Sequence, residues 1–168
     1  MRVRTASAGD LARLPAIQTA AGAVFRDIGM AEIAGNPPIP LDALDRYRQA
    51  GHVWVAADDR DRPIAFVVVD IVDECAHIEQ VSVCPDHARQ GIGRALIDHV
   101  GAWASGRGLH ALTLTTFRAV PWNAPYYERL GFTEPPGDPA PGLAAIMAAE
   151  TAAGLDPATR VLMRRPLQ

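Results

Sequence analysis

The stretch VSVCPDHARQGIGRALID, residues 81–98, joins a strand-like apolar run to a helix-like amphipathic run through Gly91 and Gly93. A glycine without a Cβ lets a ligand approach the main chain closely, and a helix N-terminus presents N–H groups that lack intrahelical acceptors. Together they form an anion site best suited to phosphate. Arg89 and Arg94 flank the two glycines, so two guanidinium groups can add charge-assisted bonds to phosphate oxygens. A plain tight turn with solvated arginines is the competing reading.

A dinucleotide-binding fingerprint also begins with G-x-G, which puts a nucleotide-dependent oxidoreductase among the readings. Here its third glycine is replaced by Leu96, and the next strand-like run ends in TTFR, residues 115–118, with no acid to hold a ribose. That reading is the weaker one. All sixteen basic residues are arginine, which excludes a Schiff-base lysine and a phosphate loop of the GK[ST] type.

Outward from this stretch the pattern alternates between strand and helix. Residues 2–5 read as a short strand, and Ser7 or Asp10 as caps for a helix carrying Leu11, Leu14, Ile17 and Ala21. GMAEIAGNPPIP, residues 29–40, reads as a loop, and LDALDRYRQAG, residues 41–51, as a short helix closed by glycine. HVWVAAD and PIAFVVVDIV flank the charged turn DRDRP as an antiparallel hairpin, and AHIEQVSV adds a third strand. The helix after Gly91 carries Ile92, Ala95, Leu96, Val100 and Trp103 on one face and leads into the strand HALTLTTF. NAPYYERLGF predicts a short helix with Pro125 in its first turn and Gly131 at its end. A further helix, LAAIMAAETAAG, and a last strand, RVLMRRPL, follow. At 168 residues and 49% hydrophobic content this is expected to be one domain, residues 1–168.

This order of elements, the block at residues 81–98 and YYERLGF at residues 126–132 resemble the GCN5-related N-acetyltransferase superfamily. The resemblance implies an α/β (α+β) fold, a mixed and mostly antiparallel sheet of six to seven strands flanked by helices. It implies acetyl-CoA as acetyl donor, a primary amine of a small molecule or peptide as acceptor, and direct attack of that amine on the thioester. By position it puts Val81 and Val83 at the pantetheine, and Arg89, Gln90, Gly91, Gly93 and Arg94 around the phosphates. The family usually has Arg or Gln three residues before the first glycine, where this chain has Ala88. Main-chain N–H groups supply most of those bonds, so the departure weakens the likeness only slightly. A non-catalytic acyl-CoA-binding regulatory module with the same fold is the alternative. A homodimer is compatible with the class.

Acetyl transfer from a thioester to an amine moves two protons, because an alkylammonium ionises near ~10 and a thiol near ~8.5. The resemblance makes Tyr127 the acid that protonates the departing sulfur. The alternative is a core aromatic, for which Tyr126 is the stronger candidate because it pairs with Leu130 at i,i+4. Asn123 reads as a helix cap, and the resemblance gives it equal standing as a contact to the pantetheine, although the family's asparagine usually lies several residues earlier, where this chain has Val120. For the general base the resemblance offers Glu79. Alternation sets Glu79 on the face of Val81 and Val83, which would bury it unless a bulge re-aims it, and a cross-strand surface pair is the rival role. Phe117, Arg118 and Trp122 lie in the loop after the last parallel strand and read as acceptor-site residues or as ordinary loop packing.

Composition bounds the rest. A formal net charge of −3 without basic runs argues against nucleic acid. No apolar run reaches membrane-spanning length and no signal-like core opens the chain, so a soluble cytoplasmic protein without a membrane partner is expected. The two cysteines, Cys75 and Cys84, have no metal-ligand or CxxC spacing and are expected as free thiols, and a nucleophilic Cys84 is disfavoured at the end of a buried strand. Five histidines without ligand spacing predict no metal.

Overall fold

Six strands follow one another across a single sheet in chain order, as the computed structural model of residues 1–168 shows. They are β1 (Arg2–Thr5), β2 (Val53–Ala57), β3 (Pro63–Val72), β4 (Cys75–Val83), β5 (Ala111–Phe117) and β6 (Arg160–Pro166). Pairing is antiparallel for β1 with β2, β2 with β3 and β5 with β6, and parallel for β4 with β5. The sheet is therefore mixed and mostly antiparallel. Six helices flank it: α1 (Leu14–Gly22), α2 (Ala31–Ala34), α3 (Leu41–Gln49), α4 (Ile92–Gly106), α5 (Ala124–Arg129) and α6 (Pro141–Ala152). None is long and apolar enough to cross a membrane. By its contacts the chain forms two compact units, Met1–Asp70 with Glu79–His99, and Ile71–Ile78 with Val100–Gln168.

In the first unit β2 is buried along its whole length and β3 from Pro63 to Val69, which explains why both read as continuous apolar runs rather than alternating ones. One face of this pair, Val53, Val55, Phe66 and Val68, packs on Leu14 and Ile17 of α1, Leu44 of α3 and Leu11. Each such side chain removed from water contributes about 1.5–3 kcal/mol. The chain enters α1 through a 3-10 turn at Ala8–Arg13, and both expected caps act there: the Asp10 carboxylate accepts from the Ser7 N–H (2.7 Å) and hydroxyl (3.0 Å). Arg4 of β1 donates to the same carboxylate through two nitrogens, at 2.7 and 3.1 Å. A buried carboxylate thus ties the first strand to the first helix. The expected loop at residues 29–40 instead contains α2, because Met30 O accepts the N–H groups of Ile33 and Ala34 (both 3.1 Å) and seats Ala34 in the interior. Its far end is held by the Ile39 N–H on Gln18 Oε1 (3.0 Å).

In the second unit β3 turns into β4 through Asp73 and Glu74, both left-handed at φ 50° and 61°, the geometry of a tight two-residue hairpin. The register of β4 on β5 sets Ala76 opposite Leu112 and His77 opposite Thr113. His77 Nδ1 and Thr113 Oγ1 lie 2.9 Å apart in the interior, so this buried polar pair satisfies itself. Parallel strands require a long crossover, here α4. β6 pairs along all of β5, and Thr133 adds one isolated bridge to Arg164, all that remains of a seventh strand. The Asp73 carboxylate accepts the N–H groups of Gly142 (3.0 Å) and Leu143 (2.8 Å) and so caps α6 from the hairpin. At the other end of α6, Glu150 pairs with Arg160 (3.2 Å) and accepts from the Thr115 hydroxyl.

Two expectations follow for stability. Burial pushes the Asp10 carboxyl up, but the bonds from Arg4 and Ser7 outweigh it and hold the group below its ordinary value. A group with a depressed folded value stabilises fully above its unfolded value near ~3.9 and loses that contribution as pH falls through the folded value. Asp10→Asn therefore lowers unfolding free energy by about 2 kcal/mol at neutral pH, and the gap to wild type closes below about pH 4 in denaturant titrations. A Cβ on Gly142 would come within 2.8 Å of both Asp73 Oδ1 and Val72 Cγ1. Gly142→Ala is expected to destabilise by about 1–2 kcal/mol, although alanine is the better helix former; a stabilised variant would refute the clamp.

Candidate active site

The first unit carries the glycine turn. β4 runs into a 3-10 turn at Pro85–His87, closed by the His87 N–H on Cys84 O (2.9 Å) and the Ala88 N–H on Pro85 O (3.1 Å). Arg89 and Gly91 then take the left-handed conformation, at φ 63° and 76°, with Gln90 between them. The first bond of α4 runs from the Ala95 N–H to Gly91 O (3.0 Å). The N–H groups of Gly91, Ile92, Gly93 and Arg94 precede it and have no acceptor within the helix. A Cβ at Gly91 would meet no atom within 4 Å, so the space over the turn is open. Arg89 and Gln90 are exposed, and the Arg94 guanidinium lies 3.7 Å from the Asp98 carboxylate, a surface pair weak enough to yield to an anion. Four N–H groups, two arginines and a 15-residue helix dipole make this terminus an anion cradle.

Upstream on β4 the structure settles the facing of Glu79 that alternation left open. Glu79 is exposed and Val81 and Val83 are half-buried, whereas Ile78 and Ser82 on the opposite face are buried. Alternation does place the three residues together, but it cannot say which face of a strand is covered. On α3 the Tyr47 hydroxyl is pushed up by burial first, then by the charges of Glu79 and Asp70, with Arg46 opposing. Two carboxylates within electrostatic reach of one phenol give this part of the unit a negative field.

The second unit carries Tyr127 and its neighbours. The core role expected for Tyr126 belongs to Tyr127, which is 9% exposed and packs edge-on against Phe132 (5.8 Å) and Tyr126 (5.2 Å). The reason is the end of α5: Gly131 at φ 93° turns the chain back, and the N–H groups of Leu130 and Phe132 both reach Tyr127 O (3.0 and 3.1 Å). Tyr126 is half-buried beneath the Arg129 guanidinium (5.8 Å). Burial pushes the Tyr127 hydroxyl well above an ordinary phenol, so it stays protonated throughout the neutral range. Asn123 stands at the start of α5, but its side chain donates to Trp122 O (3.1 Å) instead of capping. Pro125 removes one of the two N–H groups a cap would take, and the backbone at Asn123 is not extended.

The three residues expected in the loop are dispersed, and Phe117 is instead the last residue of β5, paired with Arg160 of β6. Phe117 is buried under the Arg160 guanidinium (4.5 Å), Arg118 holds Glu134 through two bonds (3.0 and 3.3 Å), and Trp122 is exposed. A cavity of about 420 Å³ in this unit is bordered by Arg118 and Glu134 and by Leu143 and Met147 of α6, but not by Tyr127, Phe117 or Trp122. No group of three His, Cys, Asp or Glu side chains could hold a metal ion. Both cysteines are free.

Sequence reasoning passed over Tyr47, Asp70 and Phe132. Asp70, on the strand preceding Glu79 in the sheet order, was the available signal for an acidic patch, and GF at residues 131–132 the signal for a chain reversal behind Tyr127.

Comparison with known proteins gives the frame for these residues. The [ribosomal protein bS18]-alanine N-acetyltransferase of Escherichia coli K12 is 36% identical over 70 residues, which are 42% of this chain and 47% of that protein. The match thus spans about half the length of that relative. The crystal structure of the E. coli ribosomal-protein-S18-alanine N-acetyltransferase superposes with a TM-score of 0.68 at 20% identity, over 99% of this chain and 94% of the other. Rv2747 of Mycobacterium tuberculosis, crystallised in a complex that contains CoA, superposes with a TM-score of 0.71 at 21% identity over 100% of both chains. At that identity the likeness is one of fold. Residues 23–132, well over half of the chain, match the acetyltransferase (GNAT) family. With sheet order, glycine turn and sequence in agreement, the chain belongs to that family.

Proposed function

We propose that the chain is an acetyl-CoA-dependent N-acetyltransferase that moves an acetyl group to a primary amine by direct attack in a ternary complex. The observation that carries this reading is the open, left-handed Gly91 at the head of α4, soon after the half-buried Val81 and Val83 of β4. The match to a family of acetyltransferases and the CoA complex of Rv2747 support it. The N–H groups of Gly91 to Arg94, including that of Gly93, hold the pyrophosphate with Arg89, Gln90 and the Arg94 side chain. The main chain at Val81 and Val83 holds the pantetheine. Glu79 accepts the proton of the incoming ammonium. The charges of Asp70 and Glu79 beside Tyr47 favour a cationic acceptor, a small molecule or a peptide N-terminus or side chain. In the second unit Arg118 and Trp122 are the residues we assign to acceptor contact, and Phe117 packs under Arg160. The compartment proposed is the cytoplasm, in keeping with two free thiols.

Tyr127 serves the leaving sulfur. Burial keeps its phenol protonated, so it stabilises the developing thiolate by donating a hydrogen bond, and CoA leaves as the thiolate or is protonated from water.

A panel of amine acceptors incubated with acetyl-CoA, read by thiol release, tests the reading, with CoA binding measured by calorimetry beside it. Binding without acetylation of any amine would favour the regulatory module, and tight NAD(P)H binding without CoA binding would displace both. Tyr127→Phe is expected to lower kcat by roughly a hundredfold with CoA affinity retained; unchanged turnover removes Tyr127 from the chemistry. Gly91→Ala strains a left-handed residue and puts a methyl group where the pyrophosphate approaches. It should raise KM for acetyl-CoA roughly tenfold while kcat stays within about threefold, and an unaltered KM would place the phosphates elsewhere.

A further inference from the structure

We propose that Arg165 is a positioning residue for Tyr127, holding the end of α5 and the ring against which the phenol stands; the functional half of this inference rests on the role of Tyr127 at the leaving sulfur. Arg165 leaves β6 on the face opposite Arg164. Its Nη1 donates to Leu130 O (3.1 Å), at the C-terminal end of α5 where a cation is favoured. Its guanidinium carbon lies 5.5 Å from the centre of the Phe132 ring, and that ring meets Tyr127 edge-on at 5.8 Å. One side chain therefore grips both the carbonyl that ends the helix and the aromatic that braces its functional residue.

Two glycines make room for that side chain. A Cβ at Gly131 would stand 3.4 Å from Arg165 Cδ, at a residue whose φ of 93° already requires glycine. A Cβ at Gly101, in the middle of α4, would stand 3.0 Å from Arg165 Nη2. A glycine inside a helix costs up to about 1 kcal/mol, and here its effect is to admit the guanidinium beside α4. Arg165 thus links β6, α4 and α5 in one stack behind Tyr127. Lysine could reach the carbonyl but offers no planar group to lie over Phe132.

The test is a double-mutant cycle in acetyl transfer, with melting curves to confirm folding and 3-fluorotyrosine incorporated at the three tyrosines as a reporter. Arg165→Met is expected to lower kcat roughly tenfold with KM for acetyl-CoA within twofold, and Arg165→Lys to recover part of the loss. In the Tyr127→Phe background Arg165→Met should add little. The fluorine signal that disappears in Tyr127→Phe should shift or broaden in the Arg165 variants while the Tyr47 signal stays in place. A kcat within twofold of wild type in folded Arg165→Met, losses that multiply in the double variant, or an unmoved Tyr127 signal would each overturn the proposal. Full activity of Tyr127→Phe would instead end that reading of Tyr127, and the fluorine signal would still decide whether Arg165 places the ring. If Arg165→Met does not fold, the Lys variant carries the same measurements.

Discussion

The place of the glycine turn depends on one pairing, the parallel register that sets Ala76 opposite Leu112 and His77 opposite Thr113. Antiparallel neighbours can be joined by two residues, as Asp73 and Glu74 join β3 to β4, but parallel neighbours cannot. The chain must travel back along the sheet, and α4 is that return path. A helix used in this way begins where β4 ends, so its unpaired N–H groups gather at the carboxyl end of a strand. The anion cradle is a consequence of topology before it is a consequence of composition. Gly91, left-handed and with nothing within 4 Å of a Cβ there, leaves that end of the helix open.

Elsewhere the molecule is tied by carboxylates set on main-chain N–H groups and by arginines that reach them. Asp10 joins β1 to the first helix, Asp73 caps α6 from a hairpin, and Glu150 fastens the other end of that helix to Arg160 and Thr115. In each case the bond joins two different elements and is partly sheltered from water, which separates these contacts from surface pairs such as Arg94 with Asp98. A chain whose only cations are arginines can bind two acceptors with one side chain. Arg4 does so between Asp10 and Asp61, and Arg165 between Leu130 O and the Phe132 ring.

The legible part of the fold was its regular part. Alternating or continuous apolar runs marked every strand, and the spacing of Ile92, Leu96 and Val100 marked α4, because burial on one side leaves a periodic trace. Less legible were elements held by single contacts. α2 forms inside a stretch rich in glycine and proline because Met30 O and Gln18 supply acceptors that no periodicity announces. Within the site, the glycine turn was readable because its geometry is local. The burial of Tyr127 in place of Tyr126 was not, since it depends on where Phe132 returns after Gly131.

By itself the sequence determined the six strands, most of the helices and the place of a glycine turn between β4 and α4, since these follow from backbone sterics and side-chain chemistry over a few neighbouring residues. Only the tertiary structure decided which side chains face outward and which are enclosed. Glu79 stays exposed although Cys75 and His77, earlier on the same face of β4, are buried, and the Asn123 amide turns to Trp122 O because Pro125 leaves it no full cap to make. Tyr127 loses its water to a chain reversal, and Tyr47 comes within reach of Asp70 and Glu79 from a helix far away in sequence. Exposure and electrostatic environment are sums over neighbours brought together by folding, so no window of sequence contains them.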